Sequence, residues 1–129
     1  MRFAGYAALF GRRDAARDTI LPGAFIRCLA ARCDPLPLWW QHRPAMRIGW
    51  IEHAAEDDRG LRVIGALDKA EGAAALALRR GAVTGLSFGY RARRFTRSSD
   101  GRALTDIDLF EVSLVTHPMQ HAARVHLIA

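Results

Sequence analysis

Thr84-Gly85-Leu86-Ser87-Phe88-Gly89-Tyr90 is the stretch on which the reading of this chain turns. Apolar residues flank one serine, with a glycine two positions before it and another two positions after. Glycine accepts torsions that other residues refuse and lets other groups approach the backbone closely. Within a strand it marks a bulge or a place where a ligand or another chain comes near. A serine between two such points is either a nucleophile presented on a stiff strand or an ordinary strand serine beside two bends. The local sequence does not separate these readings, so the rest of the chain has to.

Working outward, the stretch continues as a strand to Phe95, and Ser98-Ser99-Asp100-Gly101 is a turn. Ala103 to Thr116 then reads as a strand pair or one long bent strand. On its apolar second half, Glu111 and Ser113 share a face because side chains alternate with period two. Before the stretch, Ala70 to Arg80 is alanine-rich and reads as a helix closed by Gly81. Met46 to His53 and Leu61 to Leu67 form a hairpin around the charged turn Glu56 to Gly60. Leu38 to His42 is an extended run.

Pro22 suits a first helical turn, and Ala24 to Ala31 is predicted helical with Phe25, Ile26 and Leu29 as its apolar face. Pro35 and Pro37 end that helix. Arg12 to Leu21 reads as a polar loop after a first strand from Arg2. His117 to His121 is a turn, and Ala122 to Ile128 closes the chain as a final strand or a short helix plus strand. The expected architecture is a β-rich α+β fold: a small closed β-barrel flanked by two or more helices, in a single domain over residues 1–129.

Composition narrows the function classes. Half of the 129 residues are hydrophobic (50%) and 25% are charged, which is globular rather than disordered. No apolar run reaches membrane-spanning length and no signal-peptide pattern opens the chain, so a soluble intracellular protein is expected. The formal charge of +6 would suit nucleic acid or an acidic protein partner. Only Arg91, Arg93, Arg94 and Arg97 cluster, and they lack interleaved aromatics, which argues against nucleic-acid binding as the main role. Cys28 and Cys33 stand five residues apart, matching neither a redox pair nor a zinc knuckle. No spacing of His117 and His121 with a cysteine supports a metal, and no cofactor is expected.

Nucleophilic catalysis needs a nucleophile, a base within reach, and a group that orients the base. Of four serines, Ser98 and Ser99 serve a turn, and Ser87 alone lies between permissive glycines. Of five histidines, His42 ends an apolar Trp39-Trp40 run and is placed at the rim of the core. His53 and His126 read as strand surface, and His117 and His121 flank a proline turn. Glu111 is a carboxylate in an apolar segment, where it needs a partner. It is a candidate to orient His42, with Asp106 and Asp108 as competitors.

Taken in order, the segments resemble the prohead, or capsid-maturation, serine protease family of tailed phages and gene-transfer particles. The resemblance rests on Gly5-Tyr6-Ala7, Phe10-Gly11, Ile20-Leu21-Pro22-Gly23-Ala24-Phe25, Trp40-Gln41-His42, Ile48-Gly49 and Asp58-Arg59-Gly60-Leu61. It continues through Gly85 to Tyr90 and Leu109 to Val115, with Pro118. It implies a fold similar to the herpesvirus maturation proteases, with His42 as general base, Ser87 as nucleophile and Glu111 as third member. It also implies an oxyanion site at the backbone amides of Met119 and Gln120.

The implied activity is endopeptidase cleavage of scaffold or of the N-terminal segment of a major capsid protein, in the assembling procapsid within the bacterial host. A homodimer is a further expectation from relatives, and a non-catalytic assembly or scaffold factor of the same fold is the alternative. Arg43, Arg47 and Gln120-His121 depart from the family pattern, and the chain ends at Ala129 where many members extend further.

Overall fold

The longest strand, β7 (Gly101–Val115), sets the layout, because three other strands hydrogen-bond to it. The structure is a computed structural model that describes residues 1–129. Its remaining elements are β1 (Arg2–Leu9), β2 (Asp18–Ile20), α1 (Ile26–Ala30), β3 (Leu36–Trp40), β4 (Arg43–Glu56), β5 (Gly60–Leu67), α2 (Ala73–Arg79), β6 (Gly85–Ser98) and β8 (Val125–Ile128). One sheet runs β2-β7-β3-β4-β5-β1-β8, with β6 paired to the other side of β7.

Beside β7, the short β2 takes its first half and β3 its second, both parallel. The hairpin partner β6 runs antiparallel along almost its whole length. The predicted Ala103–Thr116 segment is thus one strand. Where β6 meets it, register shifts at Gly89/Tyr90, Ala92/Arg94 and Arg94/Phe95 bend the ribbon.

The sheet curls into a half-barrel. Its ladders stop short of the closed barrel expected from sequence, because β6 and the chain just before β8 meet only at an isolated bridge, Gly85 to Arg124. There Leu86 N–H donates to the Ala123 carbonyl and Val125 N–H to the Thr84 carbonyl, each at 2.9 Å. Few residues are available for this seam, since β8 has four residues and spends its pairing on β1.

Inside the curl lie Phe3, Ile20, Phe25, Leu38, Leu61, Leu86, Leu104, Ile107 and Leu114, all fully buried. Phe25 meets the edge of Phe88 at 5.5 Å between ring centroids, directly beside the strand that carries Ser87. Truncating such a side chain removes buried apolar area and leaves a cavity. Phe25→Ala is expected to cost about 3–5 kcal/mol, read as a lower midpoint at unchanged slope in urea unfolding.

Two local expectations are corrected. The helix predicted over Ala24–Ala31 is only Ile26–Ala30; Ala24 and Phe25 precede it and are fully buried. Phe25 fills the core from the turn before the helix. Ile26 therefore lies on the outer side, 61% exposed, instead of on an apolar inner face. The Glu56 carboxylate holds that turn, accepting from Gly23 N–H and Phe25 N–H at 2.8 Å each.

Second, the predicted loop Arg12–Leu21 contains β2. Its Asp18 is buried and accepts two bonds from Arg102 at 2.8 Å and one from Tyr90 at 2.5 Å. The Arg102 guanidinium outweighs the effect of burial and holds the Asp18 carboxyl below its ordinary range. In the arginine cluster on β6, two members are paired. Arg91 and Arg93 donate to Asp108, which also binds Arg27. These partners, Arg27 foremost, pull the Asp108 carboxyl down to about 2.

The second helix agrees with expectation. It spans Ala73–Arg79, buries Ala75 and Leu78, and ends at Gly81 with φ of +72°.

Candidate active site

Ser87 sits on β6 directly opposite Ser113 of β7, and two residues from Ser113 along β7 stands Glu111. Period-two alternation puts Glu111 and Ser113 on one face. The Ser113 hydroxyl donates to Glu111 Oε2 at 2.6 Å. Glu111 is buried, so its charge requires compensation on the other oxygen as well. That compensation is His42, whose Nδ1 lies 2.6 Å from Glu111 Oε1. Asp106 and Asp108, the competing carboxylates, are instead bound to Arg27.

His42 reaches Glu111 because of its backbone. Gln41 and His42 turn through left-handed torsions, φ of +52° and +59°, immediately after β3. For residues other than glycine this costs about 1–3 kcal/mol each. The turn is pinned on several sides. Gln41 N–H donates to the Leu114 carbonyl at 2.9 Å, and the Gln41 amide exchanges two bonds with Thr116, at 2.7 and 3.1 Å. His42 N–H donates to the Ser113 hydroxyl at 3.2 Å. Ser113 thus links the backbone of His42 to the carboxylate that holds its ring.

The ring is half-buried, with a side-chain exposure of 43%. The hydrogen bond to Glu111 raises the His42 pKa above its ordinary value, while partial desolvation works in the opposite direction. With Nδ1–H donating its hydrogen bond to Glu111 Oε1, Nε2 carries the free lone pair of the neutral ring.

The two glycines flanking Ser87 have a physical cause. A Cβ on Gly89 would lie 2.7 Å from Glu111 Oε1. On Gly85 it would lie 2.6 Å from the Val115 carbonyl oxygen and 2.8 Å from Pro118 Cδ. One glycine makes room for the carboxylate and the other for the turn after β7. Gly89→Ala is expected to displace Glu111 and lower kcat/KM on a peptide substrate about 10²-fold. A parallel thermal melt separates this loss from unfolding.

Ser87 and His42 line a small cavity of about 50 Å³ together with Ala7, Asp14, Leu86, Phe88, Tyr90, Met119 and Gln120. No direct hydrogen bond joins Ser87 to His42, and such contacts are commonly long before substrate arrives. Met119 N–H and Gln120 N–H donate to no group of the protein. The Gln120 side chain is buried and fastens this turn to the end of β1, through Leu9 N–H, the Leu9 carbonyl and the Arg12 carbonyl. A much larger hollow of about 690 Å³ lies beside β1 and β8, but it contains no serine and no part of the Glu111 pair.

The other sequence candidates are elsewhere. His53, His117, His121 and His126 are exposed, and none lines the cavity. The Gln41–Thr116 clamp and the place of Asp14 had no sequence signal. The first depends on the left-handed turn, and the second on how a polar loop folds back over β6.

The chain spans 58% of the length of the prohead protease of Enterobacteria phage HK97, to which it is 33% identical over 130 residues covering 95% of this chain. Its fold is similar to two solved herpesvirus enzymes. One is the KSHV protease in complex with a hexapeptide phosphonate inhibitor, with a TM-score of 0.66, 16% identity, and coverage of 99% of this chain and 64% of that one. The other is the varicella-zoster virus protease, with a TM-score of 0.62, 17% identity, and coverage of 97% and 62%. At that identity the likeness concerns the herpesvirus-protease-like fold. The family profile of the caudovirus prohead serine protease matches residues 1–129, and the chain belongs to that family.

Proposed function

We propose that this chain is a serine endopeptidase that cleaves scaffold, or the N-terminal segment of a major capsid protein, during procapsid maturation inside the bacterial host. The observation that carries the reading is the 2.6 Å contact between His42 Nδ1 and Glu111 Oε1 beside a cavity that Ser87 shares. Membership of the prohead protease family supports the substrate class.

In this mechanism Ser87 Oγ attacks the scissile carbonyl carbon as His42 Nε2 takes its proton. Glu111 fixes the ring and stabilises the imidazolium that forms. The developing oxyanion accepts from Met119 N–H and Gln120 N–H, two amides with no other acceptor in the protein. The tetrahedral intermediate collapses as His42 returns the proton to the leaving amine. Water then attacks the acyl-enzyme ester by the same route, and Ser87 is regenerated.

The test is co-expression with the cognate capsid protein, followed by intact-mass analysis. Loss of a defined N-terminal segment, or clipping of the scaffold, is expected. If both stay intact with the active-site residues unchanged, a non-catalytic assembly factor takes the place of this reading.

A further inference from the structure

Most polar side chains around the Ser87 cavity are already engaged. The Tyr90 hydroxyl is bound to Asp18, and the Gln120 amide is bound to the backbone of Leu9 and Arg12. His42 Nδ1 is bound to Glu111. The side-chain atoms left over are Ser87 Oγ, His42 Nε2 and one oxygen of Asp14. The first two have roles in the chemistry, while the third has none.

Asp14 is nine-tenths buried, with 9% exposure. Its Oδ1 accepts from Ala16 N–H and Asp18 N–H, both at 2.9 Å, which fixes the side chain in the loop between β1 and β2. Oδ2 has no partner in the protein, and Asp14 forms no ion pair. Arg102, the cation associated with this region, gives both of its close contacts to Asp18. Burial foremost, with the neighbouring Asp18 charge, raises the Asp14 pKa, partly offset by its two backbone hydrogen bonds and by the more distant Arg102. A cation brought into the cavity would relieve that desolvation.

Building on the protease reading, we propose that Asp14 is a specificity-determining residue that selects a lysine or arginine side chain next to the scissile bond and rejects acidic ones. The cavity, about 50 Å³, is smaller than a whole lysine side chain and takes only its charged end, with the alkyl stem left outside. A like charge placed there would be repelled by a carboxylate to which no arginine donates a hydrogen bond.

The experiment is cleavage-site profiling. The protein digests a pool of peptides, and mass spectrometry reads residue frequencies at the positions flanking each cut. Ser87→Ala serves as the blank, and a thermal melt accompanies each variant. The wild type is expected to favour Lys or Arg over Glu at one flanking position by at least about tenfold. Asp14→Asn keeps an acceptor for the loop amides but removes the charge, and the Lys-to-Glu ratio is expected to fall about tenfold or more. Cleavage by the wild type with no cationic preference at any flanking position overturns the inference and leaves the protease reading standing. So does a preference that Asp14→Asn leaves unchanged. No cleavage above the Ser87→Ala blank overturns both.

Discussion

Ser87→Ala is expected to reduce cleavage of the capsid substrate by about 10⁴-fold or more, to the level of the uncatalysed background in a co-expression assay. Its effect on stability should be small, about 1 kcal/mol or less. The asymmetry follows from the position. Ser87 is buried, yet its hydroxyl has no hydrogen-bond partner in the fold and faces the cavity. The neighbours Leu86 and Phe88 supply the apolar anchoring of that strand. Removing one oxygen therefore removes the nucleophile without breaking a contact that holds β6 to β7. Capsid processing at the wild-type rate by a folded Ser87→Ala protein would refute the assignment.

Glu111→Gln has the second large effect, expected at about 10³–10⁴-fold in kcat. A glutamine can present its NH₂ to His42 Nδ1, which moves the ring proton to Nε2 and removes the base. The same replacement changes the pH dependence. The Glu111 hydrogen bond raises the His42 pKa, so in the wild type the ring becomes neutral, and competent as a base, only above the ordinary histidine range. The acid limb of kcat/KM should accordingly lie above about 6.5 in the wild type and move to lower pH in Glu111→Gln.

Stability runs the other way. A raised folded-state pKa gives stabilisation that is complete below the unfolded histidine value and is lost as pH rises through the folded one. Activity should thus increase over the pH interval in which the His42–Glu111 pair contributes less to stability. Coincident acid limbs in the two proteins would mean that Glu111 does not set the charge of His42.

Part of the candidate-site geometry was legible in the sequence because each feature has a local cause. Glu111 and Ser113 declare a shared face by their spacing, and a carboxylate in an apolar strand announces a partner. The glycines around Ser87 announced a close approach, though which groups approach could be read only from the fold: Glu111 at Gly89, and Val115 with Pro118 at Gly85. Other features depend on contacts between distant residues. Glu56, read as part of a charged turn, caps the turn before α1 across the sheet. Ile26 has the apolar character of an inward residue but loses the core position to Phe25, one residue earlier. The incomplete closure of the sheet reflects how few residues remain between Pro118 and β8 to pair with β6, which no periodicity encodes.

The proposed activation of Ser87 as a nucleophile by the His42–Glu111 pair has a direct chemical readout. It is tested most directly by labelling with a fluorophosphonate, followed by intact-mass analysis and peptide mapping. A single adduct is expected, mapped to Ser87, that is lost when His42 is replaced by alanine. A cleavage-competent protein that acquires no adduct at Ser87, or that labels equally without His42, would contradict it.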